Sequence, residues 1–169
     1  MFKIFYPDKY YESTFKIDFE KEYENGIRGI IFDIDNTLVE HDADADKHAK
    51  ELFIKLKEIG FKICLLSNNQ KERVERFNED IGVMYIYNAK KPSRKNYIKA
   101  MEMMETDKSS TLFVGDQLFT DVFGARRTGI KSYLVRPIGE KEEIQIVLKR
   151  YLEKIVLYFY NRKMKKENK

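Results

Sequence analysis

The sequence predicts an α/β fold in which a five-stranded parallel sheet lies between layers of helices. Short apolar runs, rich in β-branched and aromatic residues, alternate with longer stretches whose apolar residues recur at helical spacing. This alternation is typical of βα units, in which each helix carries the chain back to the start of the next parallel strand. The predicted strands are residues 30–32, 61–66, 84–87, 111–114 and 132–135.

The residues before the first strand form an aromatic N-terminal extension, residues 1–26. Within it Phe15, Phe19 and Tyr23 recur every four residues, which predicts one helical face packed on the sheet. A membrane-facing aromatic patch is the alternative. The strand that follows, residues 30–32, is apolar without alternation, as expected of a strand that is buried on both faces.

Helices with clear boundary signals connect the strands. The first spans residues 46–59, where apolar residues form one stripe and Gly60 is suited to end the helix. The others are predicted at residues 70–81, 94–104 and 118–128. Each is long enough to serve as the crossover between two parallel strands.

The chain ends in a predicted helix, residues 140–162, and a basic tail, residues 163–169. Residues 149–169 carry eight of the 32 basic residues and two of the 28 acidic ones, a net charge of +6 that leaves −2 on the rest. Such a block attracts anionic surfaces, membrane or nucleic acid, and the alternative is a solvated helix with a frayed end. One helical stripe is predicted to pack on the sheet: Ile144, Val147, Leu148, Tyr151, Ile155 and Phe159.

Composition limits the class of protein. The 169 residues, 43% hydrophobic and 36% charged, fit one soluble globular domain over residues 1–169. Neither a signal-peptide pattern nor an apolar run of about 18 residues occurs in the sequence. The single cysteine, Cys64, excludes a disulfide within the chain and is expected to be a buried apolar residue. The expected location is the cytoplasm.

Two carboxylates, Asp33 and Asp35, end the first predicted strand in the string D-I-D-N-T-L. Alternation places both side chains on one side if the strand continues that far. Two carboxylates this close can have different catalytic roles, with one ionised as a nucleophile or metal ligand and the other protonated as a general acid. The alternative is an acidic turn after a strand.

Polar residues also follow the next three predicted strands. Ser67 and Asn68 offer a hydroxyl and backbone N–H groups that can hold phosphate oxygens. Lys91 follows the third strand, and Asp116 with Asp121 forms a second carboxylate pair in the string G-D-Q-L-F-T-D. Each of these residues alone is weak evidence for a functional site, because such residues are also common as helix caps or on protein surfaces. Together they are expected to meet Asp33 at one edge of the sheet, because parallel strands end on the same side.

The string D-I-D-N-T-L resembles motif I of the haloacid dehalogenase (HAD) superfamily, and Ser67, Lys91 and Asp116 stand where its three later motifs are expected. The resemblance implies a HAD-like Rossmannoid fold of three layers, α/β/α. It also implies a magnesium-dependent phosphatase that acts through an aspartyl-phosphate intermediate.

The resemblance further assigns the acidic residues. It implies that Asp33 attacks phosphorus and that Asp35 protonates the leaving alcohol and then activates water. Asp33, Asp116 and the backbone carbonyl of Asp35 are expected to hold Mg²⁺, with Asp121 orienting a water on the metal.

The same resemblance implies a phosphate cradle. Lys91 is expected to neutralise the phosphoryl group, and Ser67 with the Asn68 N–H completes its binding. Thr37, grouped with these phosphate-binding residues, is expected to steady the loop that holds the nucleophile. Three more residues lie beside the site without a role that spacing assigns: Asn36, Asn69 and Gln117.

HAD enzymes usually shield the site with a cap domain inserted after the first or the third strand. Residues 34–66 and 68–90 leave no room for one, so the fold is expected to be capless. An open site admits bulky phosphorylated substrates or borrows a lid from another subunit, which makes an oligomer one alternative.

From about residue 5 to 150 the chain resembles the bacterial subfamily IIIA phosphatases, relatives of mitochondrial phosphatidylglycerophosphatase, most specifically in G-D-Q-x-x-T-D. This implies a phosphorylated glycerolipid substrate such as phosphatidylglycerophosphate. Ile34 is a departure, because the lipid enzymes carry a basic residue within motif I.

Residues 155–160, apolar all round and followed by lysines, suit an interfacial anchor on an anionic membrane, which would place the protein at the inner membrane face. A dimer interface and a final core helix are the alternatives for this segment.

The alternative functions are a soluble phosphatase for nucleotide, sugar or phosphoprotein substrates, and a non-catalytic scaffold that binds RNA or another anion. Nucleic acid is not an expected partner, because a scaffold does not need Asp33, Asp35, Lys91 and Asp116.

Overall fold

A computed structural model describes residues 3–139 and 144–167, without the side chains of residues 144–149 and 167. This described part contains six strands: β1 (Lys9–Tyr11), β2 (Gly29–Phe32), β3 (Lys62–Leu66), β4 (Met84–Ile86), β5 (Thr111–Gly115) and β6 (Lys131–Val135). They form one parallel sheet in the order β1-β6-β5-β2-β3-β4. The predicted α/β fold with a parallel sheet is confirmed.

The prediction of five strands is wrong by one. The additional strand, β1, lies at the sheet edge and pairs with β6, with Lys9 opposite Tyr133. Its three residues, K-Y-Y, include no apolar run, and their side chains are largely exposed. The strand pairs with β6 through its backbone and packs only Tyr11 against the core, so hydrophobic periodicity does not identify it.

Helices connect the strands and cover the sheet. They are α1 (Phe19–Glu24), α2 (Lys47–Ile59), α3 (Lys71–Asn78), α4 (Arg94–Met104), α5 (Phe123–Thr128) and α6 (Ile144–Glu167). A π-helical turn, Leu118–Val122, leads into α5, and single 3₁₀ turns span Lys3–Phe5 and Thr14–Lys16. Asp46 caps α2 by accepting a hydrogen bond from the Ala49 N–H at 2.8 Å, and Gly60 ends that helix with φ of 109°.

The aromatic repeat near the start does not form one helical face, contrary to the prediction. Ser13 and Asp18 each cap a separate short element, and the chain is extended at Ile17 between them. Phe19 is buried in the core, whereas Phe15 is 40% exposed. Because two capping side chains occur within six residues, the chain forms two short elements instead of the one helix that the four-residue spacing predicts.

Two apolar clusters lie on opposite faces of the sheet, which confirms the three layers. On one face Phe53 of α2 and Phe77 of α3 pack with the Phe32 side chain of β2. On the other face Tyr97 of α4 packs against Phe113 of β5, with ring centroids 5.2 Å apart. Cys64 is fully buried in this second cluster, as expected.

The topology places a crevice at the carboxyl end of β2. From β2 the chain continues to β3 and β4 on one side, and it later returns through β5 and β6 on the other side. Ligands of open α/β sheets bind at such a switch point. Among the described residues, the connections from β2 to β3, from β3 to β4 and from β4 to β5 each contain one helix and no inserted domain, so the capless expectation holds.

The C-terminal helix differs from its prediction. It runs from Ile144 to Glu167, so that most of the predicted basic tail is helical, while residues 140–143, 168 and 169 lie outside the described part. The predicted inward stripe is wrong at Tyr151, Ile155 and Phe159, which are 67%, 52% and 43% exposed. Buried positions of this helix are Glu153, Val156 and Tyr160. The side chains of Ile144, Val147 and Leu148 lie outside the described part.

Within residues 3–139 and 144–167, every helix is too short or too polar to cross a membrane.

A buried carboxylate, Glu22 of α1, ties the N-terminal extension to the sheet. It accepts hydrogen bonds from Lys131 Nζ at 2.7 Å, from Lys9 Nζ at 3.1 Å and from the Tyr133 hydroxyl. Burial acts to raise the pKa of Glu22, but the hydrogen bonds from Lys131, Tyr133 and Lys9 outweigh it and lower that pKa.

Replacing Glu22 by Ala is expected to lower the free energy of unfolding by about 2–3 kcal/mol at neutral pH, because the buried Tyr133 hydroxyl and two lysines lose their acceptor. The difference from the wild type should shrink as the pH falls below about 4.3, because the unfolded state then binds a proton that the folded state, with its lowered Glu22 pKa, binds only at lower pH. Urea denaturation over a pH series measures both effects. Glu24→Ala on the exposed side of α1 is the control, and an equal loss of stability in both variants contradicts this role.

Candidate active site

Three buried carboxylates meet at the carboxyl ends of β2 and β5. Asp33 directly follows β2, Asp116 directly follows β5, and Asp121 lies in the π-helical turn. One carboxylate oxygen of each lies within 4.8 Å of the others. Asp33 and Asp116 come together because β2 and β5 are neighbours whose last paired residues are Phe32 and Val114. We call Asp33, Asp116 and Asp121 the acidic trio.

Lys91, from the loop after β4, inserts its ammonium group into the acidic trio. Its Nζ donates to Asp33 Oδ1 at 2.6 Å and to Asp121 Oδ1 at 2.7 Å. The Asn68 side chain fixes this loop, because its Oδ1 accepts from the Lys91 N–H at 2.7 Å and its Nδ2 donates to the Lys91 carbonyl at 3.3 Å. Asn68 therefore has a positioning contact that sequence spacing did not indicate.

Burial is the largest single effect on the pKa of each of these groups. It raises the pKa of Asp33 to about 6, against the effect of Lys91. Burial and the adjacent Asp33 hold the pKa of Asp116 well above its ordinary value, although Arg150 opposes them. For Lys91 burial acts to lower the pKa, but Asp121 and Asp33 outweigh it, so the ammonium stays protonated.

The donor set of the acidic trio fits a hard divalent cation. All three side chains offer carboxylate oxygens, which are the ligands that Mg²⁺ and Ca²⁺ prefer. Carboxylates crowded into a buried site repel one another, and a divalent cation between them relieves that repulsion.

The hydroxyl of Thr37 lies between two members of the trio. Its Oγ1 is 3.3 Å from Asp33 Oδ2 and 3.3 Å from Asp116 Oδ1. The Thr37 carbonyl in turn accepts a hydrogen bond from Thr14 Oγ1 at 2.7 Å, which fastens this loop to the N-terminal extension. Thr37 thus contacts the carboxylates themselves, and its grouping with the phosphate-binding residues stays a prediction.

Asp35 is engaged by residues outside the acidic trio. Its carboxylate accepts from Arg73 Nη2 at 2.9 Å and from Asn69 Nδ2 at 2.7 Å, and the backbone N–H of Asp42 donates to it at 2.8 Å. Arg73 projects from α3 and is buried. The expected metal contact of the Asp35 backbone carbonyl stays a prediction.

Ser67 is buried at the end of β3, where its Oγ accepts from the Asn69 N–H at 3.1 Å and its own N–H donates to the Ile86 carbonyl at 3.0 Å. The strand end is therefore rigidly held. Its predicted contact with phosphate oxygens stays a prediction.

Sequence reasoning missed Arg150. This residue of α6 donates from Nη1 to the Asp116 carbonyl at 2.5 Å and from Nη2 to Asp116 Oδ2. It lies 34 residues beyond Asp116 in a block of basic residues, so nothing in its local sequence distinguishes it from a solvated arginine. Arg73 was missed for the same reason, as one charged residue of a polar helix.

Comparison with known proteins gives the family. Residues 41–129 match the family described as haloacid dehalogenase-like hydrolase. The chain belongs to the haloacid dehalogenase-like hydrolase family. A "probable phosphatase YqeG" of Bacillus subtilis is 39% identical over 162 residues, which cover 95% of this chain and 94% of the relative.

A further relative and a solved structure are also similar to this chain. A glyceraldehyde 3-phosphate phosphatase of Pyrococcus abyssi is 29% identical over 93 residues, covering 50% of this chain and 39% of that protein. In fold, the crystal structure of an uncharacterized protein from Listeria monocytogenes aligns with a TM-score of 0.55 at 19% identity, over 70% of this chain and 86% of the other. The predictions of a HAD-like fold and of a hydrolase are confirmed, and the phosphatase relatives support phosphomonoester hydrolysis.

Proposed function

We propose that this HAD-family hydrolase is a Mg²⁺-dependent phosphomonoester phosphatase that acts through an aspartyl phosphate on Asp33. The observation that carries the proposal is the position of the Asp33 carboxylate, 2.6 Å from the Lys91 ammonium and within the acidic trio. A carboxylate can attack an anionic phosphate only where positive charge offsets the repulsion between them. Mg²⁺ held by Asp33 and Asp116, with Asp121 beside them, would supply Lewis-acid polarisation of the phosphoryl oxygens.

In the proposed first step an oxygen of Asp33 forms a bond to phosphorus as the bond from phosphorus to the alcohol oxygen breaks. Asp35 gives the departing oxygen its proton. In the second step water attacks the phosphorus of the aspartyl phosphate, Asp35 takes a proton from that water, and Asp33 leaves as a carboxylate. Lys91 balances charge on the phosphoryl group throughout.

The orientation of Asp35 depends on its partner Arg73 under this proposal. Arg73→Met is expected to lower kcat about 10²-fold with little change in KM, because a misplaced proton donor slows chemistry without weakening substrate binding. Steady-state kinetics with a soluble aryl phosphate measure both constants. Lys71→Met, on the exposed side of the same helix, is the control, and equal kinetics for both variants contradict the role of Arg73.

For the substrate we propose the phosphorylated head group of a glycerolipid such as phosphatidylglycerophosphate. Among the described residues no cap domain is inserted beside the site, so no such domain blocks a head group that remains part of a bilayer. Helix α6 also presents an exposed apolar surface with basic residues beside it, which suits peripheral contact with an anionic membrane. The apolar residues are Tyr151, Leu152, Ile155 and Tyr158, and the basic ones are Lys154, Arg162 and Lys165.

A phosphate-release assay with Mg²⁺ tests this substrate. Vesicles that contain phosphatidylglycerophosphate should give a kcat/KM well above those of glyceraldehyde 3-phosphate, sugar phosphates and nucleotides. Activity on soluble esters alone would reject the lipid and leave the phosphatase in place.

A vesicle co-sedimentation assay tests the membrane contact by itself. Replacing Leu152 and Ile155 by Ser should lower the affinity for phosphatidylglycerol vesicles by roughly 100-fold or more, because each apolar side chain contributes about 1.5–3 kcal/mol when buried. Ile54→Ser, an equally exposed isoleucine of α2, is the control. Unchanged binding of the double variant contradicts docking through α6.

A small soluble substrate is the second candidate. The partial similarity to a glyceraldehyde 3-phosphate phosphatase favours it, and this similarity spans half of the chain. The same substrate screen separates the two candidates.

A further inference from the structure

The C-terminal helix reaches the acidic trio through one side chain. Arg150 of α6 donates to two different atoms of Asp116, its carboxylate Oδ2 and its backbone carbonyl oxygen. Because one planar guanidinium spans the side chain and the main chain of the same residue, it fixes the side-chain torsion of Asp116.

A second carboxylate holds Arg150 in this orientation. Glu153, one turn further along α6 and buried, accepts from Arg150 Nη1 at 3.0 Å through Oε2. Its Oε1 accepts from the Leu118 N–H at 2.8 Å, at the start of the π-helical turn that carries Asp121. The pair therefore links α6 to Asp116 and to the π-helical turn that carries Asp121, both in the segment after β5.

The arrangement leaves one particular oxygen of Asp116 for a ligand. Oδ2 is engaged by Arg150, whereas Oδ1 faces the Thr37 hydroxyl, which also contacts Asp33 Oδ2. Charge neutralisation alone does not require a two-pronged contact with main chain and side chain. The geometry is that of a residue that orients a ligand rather than one that only balances its charge.

We propose that Arg150 is a positioning residue for metal binding, which orients Asp116 so that Oδ1 faces the cation, and that α6 is therefore part of the metal site. This rests on the proposed metal dependence. The positive charge of Arg150 also repels a nearby divalent metal. Loss of Arg150, however, leaves two buried oxygens of Asp116 without their donor and allows the Asp116 carboxylate to rotate. The loss of orientation is the larger effect, since removing a partner that orients a ligand costs about 10–100-fold in metal affinity.

Mn²⁺ titration, with the free ion measured by electron paramagnetic resonance, tests this without any turnover. Arg150→Met should weaken Mn²⁺ binding about 10–100-fold. Arg150→Lys should bind as weakly as the Met variant, because an ammonium cannot bridge the same two oxygens. Glu153→Gln should weaken binding to a smaller extent. Arg127→Met, which removes an exposed guanidinium from α5, should bind like the wild type.

The outcomes separate the proposals. Wild-type affinity or tighter binding in Arg150→Met overturns the positioning role, and full recovery in Arg150→Lys shows that charge alone matters and overturns it too. If Arg150→Met does not fold, as judged by circular dichroism, unchanged binding in Glu153→Gln is the contradicting result. Failure of the wild type to bind Mn²⁺ instead removes the metal site, and with it the proposed function.

Discussion

Asp33→Asn is expected to abolish phosphate release while leaving the fold intact. The amide cannot act as an anionic nucleophile, so kcat should fall by roughly 10⁴- to 10⁶-fold, the range in which removal of a nucleophile lies. Asn has nearly the volume of Asp, and Lys91 keeps its ion pair with Asp121. Steady-state phosphate release and thermal melting of the same preparation measure the two effects.

The matched control is Asp80→Asn, which removes a carboxylate whose side chain is 62% exposed and pairs with Lys50 at 2.5 Å. Its turnover should equal that of the wild type. Activity in Asp33→Asn equal to that of Asp80→Asn prepared in the same way would remove Asp33 as the nucleophile.

Lys91→Met is expected to affect both stability and rate. Without the ammonium, Asp33 and Asp121 remain buried next to each other with no cation between them, and the free energy of unfolding of the metal-free protein should fall by about 3–5 kcal/mol. The kcat should fall about 10²–10³-fold, the usual cost of removing one group that stabilises developing charge. Thermal melts without metal and phosphate-release kinetics with Mg²⁺ measure these losses.

Added Mg²⁺ should raise the melting temperature of Lys91→Met more than that of the wild type, since a divalent cation replaces part of the missing charge. Lys95→Met, on the exposed surface of α4, is the control for loss of one lysine. A metal-free Lys91→Met protein as stable as this control contradicts the role assigned to the buried ammonium.

The residues at the strand ends could be placed from the sequence because their order follows from simple rules. Asp33 and Asp116 each come directly after an apolar run, and parallel strands present their carboxyl ends at one edge. The position of Lys91 was also anticipated, although its contact with both Asp33 and Asp121 required the path of the loop after β4. The local sequence pattern therefore identifies the residues of the site, and the strand order determines which of them lie next to one another.

Contacts made by polar residues of helices could not be predicted in the same way. Arg150 and Arg73 read as ordinary charged residues, because the periodicity of a helix shows which side is apolar and not which charged side chain turns inward. The burial of α6 was misjudged for a related reason. Its apolar residues occur all round the helix, and packing against Leu118, Val122 and Leu134 selects Val156 rather than the predicted stripe.

Whether Asp33 carries the phosphoryl group is tested most directly by trapping the acyl phosphate during turnover. Borohydride reduces an acyl phosphate to an alcohol, so quenching a reaction with substrate and Mg²⁺ should convert the Asp33 side chain to that of homoserine, detectable by peptide mass spectrometry. The conversion should require both substrate and metal and should be absent in Asp33→Asn. An unmodified Asp33 in a reaction that releases phosphate, or reduction at a different carboxylate, would contradict the proposed mechanism.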